Sequence, residues 1–154
     1  MSELLAELAD RSAAQALTQQ ESAMNELRSR TGVLVAADAV TASFLGAAAL
    51  KDGQLNTTGA LALVCFVLSI GSALYVLLPR VGLKFSLSGP VLYTSLYSER
   101  DNPEEIYRRL AYWLEEFWSA NQDVLDRMYP FFTAAVVLLL VQLVLWAVDL
   151  TATL

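Results

Sequence analysis

The sequence predicts an all-α membrane protein with three transmembrane helices, a cytoplasmic N-terminal helix, and a long amphipathic helix that is continuous with the last span. Three observations predict this fold class. The 154 residues are 56% hydrophobic, whereas soluble domains usually stay near 45–50%. The apolar residues are concentrated in three blocks of roughly twenty residues, the length of helix that crosses a bilayer. Lysine and arginine are distributed very unequally between the segments that flank these blocks, as in membrane proteins.

Residues 1–31 are predicted to form the N-terminal helix, because they are rich in alanine, leucine, glutamate and glutamine, which are strong helix formers. The segment has two interpretations. It is either a solvated helix that leads directly into the first span, or a helix that associates with a second copy of itself. The solvated helix is the favoured interpretation. The self-association helix rests on a weak heptad of apolar residues with two polar ones among them: Leu17, Gln20, Met24, Leu27, Thr31 and Leu34.

Residues 32–79 are predicted to be a transmembrane hairpin. Its first span, 32–50, has the length of a membrane helix but contains one charged residue, Asp38. A carboxylate near the centre of a span costs about 2.5–3.5 kcal/mol on insertion scales. The second span, 59–79, has no charged residue, and the short polar segment 51–58 joins the two. This context favours 32–50 as a true span.

Residues 80–128 are predicted to be a cytoplasmic segment that ends in an amphipathic helix. The stretch DNPEE at 101–105 is typical of a helix start: its first two side chains can cap, its proline fits the first turn, and its glutamates oppose the helix dipole. Apolar residues then follow at spacings of three or four, and no glycine separates them from the third span, 129–150. We expect one helix from Pro103 to Leu150.

The basic residues predict the orientation of the chain. One lysine, Lys51, lies in the hairpin loop, and the other nine basic residues precede the first span or lie between the second and third. The positive-inside rule therefore predicts a cytoplasmic N-terminus and 80–128 region, with the 51–58 loop and the C-terminus outside.

Several classes of function are disfavoured by composition. The chain has no histidine and a single cysteine, Cys65, so the usual catalytic triads and zinc sites are missing. The net charge of −6 disfavours a nucleic-acid-binding surface. We expect no enzymatic activity, no metal and no cofactor, and we expect membrane lipid to be a partner.

The intramembrane candidate residues are Asp38, Ser43, Gly46 and Gln142. Small residues at 39, 43 and 47 form a ridge that lets another helix approach closely. Two interpretations of Asp38 stand side by side: it lines a polar seam or pore between packed helices, or it forms hydrogen bonds within one protomer. Gln142 is predicted to join helices by a hydrogen bond, and Ser69 is predicted to be a packing residue.

A second candidate set is cytoplasmic. Arginine and lysine bind phosphate and aromatic rings stack on bases, so the set would suit a nucleotide or another anion. The alternative is that these side chains contact lipid headgroups and set the topology. The set comprises Arg80, Lys84, Arg100, Arg108 and Arg109, with Tyr93 and Tyr97.

The order of features resembles the small membrane effectors of the bacterial Pycsar antiphage system and the wider SLATT group. A two-span hairpin ends in LLPR, an aromatic VLYTSLY segment and an ANQDVLDRMY helix follow, and a final span closes the chain. The resemblance runs from about Glu26 to Leu150. It implies an inner-membrane protein that self-assembles and disrupts membrane integrity in response to a cyclic nucleotide made by a neighbouring cyclase. A ligand-independent oligomeric scaffold and a holin-like or channel protein are the alternatives.

Overall fold

Four helices and no strand make up the part of the chain that the structure describes. The computed structural model describes residues 2–49, 56–79, 83, 85, 89–96 and 102–152. The helices are α1 (Ser2–Ala49), α2 (Thr57–Leu77), α3 (Gly89–Leu96) and α4 (Pro103–Ala152). The predicted all-α class is confirmed. The N-terminal helix and the first predicted span form one helix, α1, because no proline and no pair of glycines interrupts the sequence between them.

Side-chain caps explain where α2 and α4 begin. Asn56 Oδ1 accepts a hydrogen bond of 2.8 Å from the backbone N–H of Gly59, the third residue of α2. Asn102 Oδ1 is 3.4 Å from the Glu105 N–H, and Pro103 occupies the first position of α4, where it has no intrahelical N–H to lose. Helix α2 ends just before Pro79, because the residue that precedes a proline avoids helical angles.

Two helices are long and apolar enough to cross a membrane: α2 over Thr57–Leu77, and an apolar window within Pro103–Thr151 of α4. The predicted spans 59–79 and 129–150 fall in these helices. The first predicted span occupies the second half of α1, which is helical to Ala49, and its crossing of the membrane remains a prediction.

The chain divides into two units. The N-terminal unit comprises Met1–Asn25 and Arg80–Asp126, and the apolar unit comprises Glu26–Pro79 and Arg127–Leu154. In the N-terminal unit, α1 and α4 run parallel, since Gln20 Nε2 donates to the Trp118 carbonyl oxygen (3.0 Å) while residues 5–16 face 104–115. Its buried apolar side chains are Leu17, Met24, Leu96, Leu114 and Leu125.

The apolar unit packs three helical segments around small side chains. Leu34, Ala73 and Ala135 form a buried cluster, one residue from each helix. The rings of Tyr75 and Phe131 stack with their centroids 3.9 Å apart. Buried positions on each segment recur at spacings of three, four or seven, which places them on one face of each helix.

Candidate functional site

Asp38 lies at the centre of a buried hydrogen-bond network in the apolar unit. Its side chain is fully buried. Oδ1 accepts a hydrogen bond of 2.7 Å from Gln142 Nε2 on α4, and Oδ2 is hydrogen-bonded to the Ser69 hydroxyl on α2, with the two oxygens 2.6 Å apart. Each carboxyl oxygen therefore has a partner from a different helix of the same chain. This is the arrangement of the second sequence-based interpretation, hydrogen bonding within one protomer.

Ser69 connects all three helices. Its Oγ lies 2.6 Å from Asp38 Oδ2 and 3.1 Å from the backbone carbonyl oxygen of Ala135. The methyl side chain of Ala135 is fully buried and lets α2 come close enough to α4 for this contact. The sequence predicts Ser69 to be a packing residue rather than a ligand; in the structure it is buried, and its hydroxyl also contacts the buried carboxyl.

The surroundings of Asp38 contain no basic residue. Segments 31–50, 52–79 and 128–154 have neither lysine nor arginine. The carboxyl is therefore compensated by neutral hydrogen-bond donors alone, which is a demanding arrangement in a low-dielectric interior. Gln142 is itself fully buried, and its Oε1 has no hydrogen-bond partner among the described residues.

The other intramembrane candidates do not join this network. Ser43 is exposed, and its hydroxyl donates to the Ala39 carbonyl oxygen of its own helix at 2.7 Å. Gly46 is half-buried and lines a cavity of about 220 Å³ in the apolar unit. The cavity is lined by Ala42, Gly46, Ala47, Gly59, Leu63, Phe66 and Trp146.

Two buried residues near the site were not predicted from the sequence: Trp146 and Asp149, each with only 4% of its surface exposed. They lie four and seven residues beyond Gln142, and thus on the same face of α4. A Cβ placed on Gly59 would lie 3.6 Å from Asp149 Oδ2 and 3.8 Å from Trp146 Cζ3, so α2 begins against both. The repeat of three and four residues that starts at Gln142 is the signal that would have found them.

Part of the second candidate set, which the sequence predicts to be cytoplasmic, lies outside the described residues: Arg80, Lys84, Tyr97 and Arg100. Tyr93 is exposed on α3. Arg108 Nη2 and Arg109 Nε lie 2.6 and 3.1 Å from the two carboxylate oxygens of Glu105. The hydrogen bonds from the two guanidinium groups lower the pKa of Glu105. An anion at these two arginines would have to compete with Glu105.

A groove in the N-terminal unit is lined in part by Arg108. Its volume is about 650 Å³, within the usual range of small-molecule sites. Alanines of α1 form one wall. The charged and aromatic wall is formed by four residues of α4: Glu104, Arg108, Tyr112 and Glu115. Among the residues that the structure describes, no three histidine, cysteine, aspartate or glutamate side chains are grouped as a metal site would require.

Comparisons of the chain with protein-family models, with curated proteins and with solved structures return no match.

Proposed function

We propose that the chain is an inner-membrane effector of a cyclic-nucleotide antiphage system, which self-assembles and disrupts membrane integrity when activated. One observation carries the membrane part of this proposal. In the apolar unit the polar side chains of Asp38, Ser69 and Gln142 are buried, while large apolar side chains cover the outside. This distribution is the reverse of a soluble protein's and suits a bundle solvated by lipid.

The exposed side chains of α1 support its role as a third span. Val33, Val40 and Phe44 are 70%, 57% and 74% exposed, on a segment that packs against both apolar helices through Leu34 and Asp38. Water would not favour such a surface, whereas acyl chains would. The proposed orientation, with a cytoplasmic N-terminus and an external C-terminus, rests on the nine-to-one distribution of basic residues.

Self-assembly is supported by the small-residue ridge of α1. Ala39, Ser43 and Ala47 are all exposed on the surface of the apolar unit. The hydroxyl of Ser43 is bonded to its own helix, so the ridge offers close backbone approach without an unpaired donor. A second copy of the chain is the occupant that we propose, because a copy brings the same self-complementary ridge.

The trigger is the part of the proposal that rests on the resemblance in feature order. The groove beside Arg108 and Tyr112 supports it, because its volume suits a mononucleotide and a guanidinium and a phenol ring suit phosphate and base. Glu104 and Glu115 in the same groove favour a ligand that also presents hydrogen-bond donors, as nucleobases do.

Dye release from liposomes tests the function. The full chain is reconstituted into vesicles of bacterial polar lipids that contain a self-quenching dye, and cyclic mono- and oligonucleotides are added one at a time. Release that depends on one nucleotide is the expected result. Release without any nucleotide would favour the holin-like or channel alternative, and oligomers without release would favour the scaffold.

A matched pair of variants tests the assembly face. Ser43→Leu fills the ridge, whereas Val67→Leu places the same side chain at an exposed position of α2. We expect Ser43→Leu to abolish chemical cross-linking between copies and nucleotide-dependent dye release, with both retained in Val67→Leu. Equal cross-linking of the two variants would remove the ridge from the proposal.

A further inference from the structure

The contacts of Ser69 pose a problem of hydrogen counting. A serine hydroxyl has one hydrogen. Its oxygen lies within hydrogen-bond distance of two oxygens, Asp38 Oδ2 at 2.6 Å and the Ala135 carbonyl at 3.1 Å. An ionised carboxylate and a backbone carbonyl are both acceptors only. If Asp38 were ionised, the single hydroxyl hydrogen would have to serve both acceptors, as a shared and weaker three-centre bond at best.

A proton on Asp38 resolves this problem. The protonated Oδ2 then donates to Ser69 Oγ, and the Ser69 hydroxyl donates to the Ala135 carbonyl. Gln142 Nε2 still donates to Oδ1, which remains an acceptor. Each of the three contacts then has exactly one hydrogen, and the chain of donors ends on a backbone oxygen that has a second lone pair to offer.

The groups that face Asp38 do not supply a compensating positive charge. From α2 it meets Ser69, and from α4 it meets Gln142 and the Ala135 backbone. The titratable side chains nearest to these contacts on the same helices are not basic: Cys65 and Tyr75 on α2, and Tyr129 and Asp149 on α4. The closest basic residue of α4 is Arg127, eight residues before Ala135 and about 12 Å away along the axis. On its own helix the closest basic residue is Arg30, about 12 Å away along the axis.

We infer that Asp38 is a proton-binding site, which holds a proton in the closed three-helix bundle and releases it only when the bundle loosens. The neutral acid is the form that satisfies all three contacts and leaves no net charge among apolar side chains. Loss of the proton leaves one hydroxyl hydrogen for the two contacts of Ser69 and places a carboxylate in a segment without a cation. Proton release and separation of α1 from α2 and α4 are thereby coupled. This inference does not depend on the antiphage role.

Asp38→Asn is the decisive variant, because an asparagine amide reproduces the neutral acid. Its oxygen accepts from Gln142, and its NH₂ donates to Ser69. Asp38→Leu is the control that keeps the branched shape of the side chain and removes the hydrogen bonds. We expect Asp38→Asn to unfold at the wild-type temperature at acid pH and above it at alkaline pH, in detergent or nanodiscs. Asp38→Leu should unfold at a lower temperature than Asp38→Asn at every pH.

Infrared spectroscopy reads the proton directly and does not depend on stability. The folded full chain, labelled with ¹³C-carboxyl aspartate, should show the C=O stretch of a protonated carboxylic acid at neutral pH, and Asp38→Asn should lose that band. Absence of the band from folded wild type would overturn the inference. So would an Asp38→Asn variant that is destabilised as much as Asp38→Leu throughout the pH range.

Discussion

The side-chain amide of Gln142 donates to Oδ1 of Asp38 over 2.7 Å, which joins α4 to α1 across 104 positions of the sequence. Both side chains are fully buried. The bond links the last apolar segment to the first. It places one of the few polar side chains of the third predicted span directly against the sole charged residue of the first predicted span.

Removal of this amide should destabilise the apolar unit. Gln142→Leu leaves Asp38 Oδ1 without its donor, and we expect it to lower the free energy of unfolding by about 1–2 kcal/mol. Val141→Leu, at the exposed neighbouring position, is the control and should stay close to wild type. Denaturation of the two variants in mixed micelles measures the difference. Equal stability of the two would mean that the bond contributes nothing net.

Two serines of α2 provide a second comparison on a single helix. Ser69 bonds to other helices, whereas the Ser72 hydroxyl donates to the Leu68 carbonyl of its own helix at 2.8 Å. We expect Ser69→Ala to lower the unfolding free energy by about 1–2 kcal/mol and Ser72→Ala to change it by less than about 0.5 kcal/mol. Chemical denaturation compares them. A larger effect at Ser72 would contradict the assignment of Ser69 as the connecting residue.

The ion pairs at the start of α4 predict an acid-dependent change in the N-terminal unit. Arg108 and Arg109 hydrogen-bond to Glu105 and lower its pKa. A carboxyl group whose pKa is lower in the folded state stabilises that state above its ordinary pKa, and the contribution disappears as the pH falls through the lowered value. We expect an NMR titration of Glu105 to show this low pKa.

The stability of the full chain should reflect the same pairs. Glu105→Gln should remove part of the loss of stability at acid pH, while Glu116→Gln, an exposed glutamate further along α4, serves as the charge control. Added salt should reduce the difference between the variants, because the arginines are largely exposed. An unchanged acid profile in Glu105→Gln would refute the assignment.

Two glycines of α2 should respond oppositely to larger side chains. A Cβ on Gly71 meets nothing within 4 Å, so Gly71→Ala should raise the unfolding free energy by about 0.5–1 kcal/mol through helix propensity. At Gly59 a Cβ already contacts Asn56, Trp146 and Asp149 at 3.4–3.8 Å, and Gly59→Leu should crowd all three and lower the melting temperature. Thermal unfolding of both variants gives the sign of each effect directly.

The sequence was informative where local chemistry decides the structure. DNPEE contains the cap, the proline and the acidic turn of a helix start, and α4 begins at its proline. The apolar block 59–79 has no competing signal, and α2 occupies nearly all of it. In both places the determining residues are neighbours along the chain, so a short stretch of sequence is enough to predict the helix.

The site was harder to predict because its contacts are between helices. Ser69 is one of several small buried residues on α2, and no spacing rule distinguishes the serine that faces an aspartate 31 positions away from a packing residue. The partner of Asp38 depends on the rotation of each helix about its axis, which packing sets. The same holds for Asp149, which is buried against the start of α2 although it lies near the end of the chain.

The distances along the chain also imply an order in time. Asp38 and Ser69 are both present once the hairpin has been synthesised, whereas Gln142 leaves the ribosome last of the three. At about 5–20 residues per second, the wait between the two partners is roughly 4–15 s. During that interval the hydroxyl of Ser69 is the one member of the final network available to the carboxyl. Nascent chains that carry Ser69→Ala would therefore spend several seconds with no hydrogen-bond partner for the Asp38 carboxyl. The yield of inserted protein should fall for this reason, in addition to any loss of stability of the folded protein.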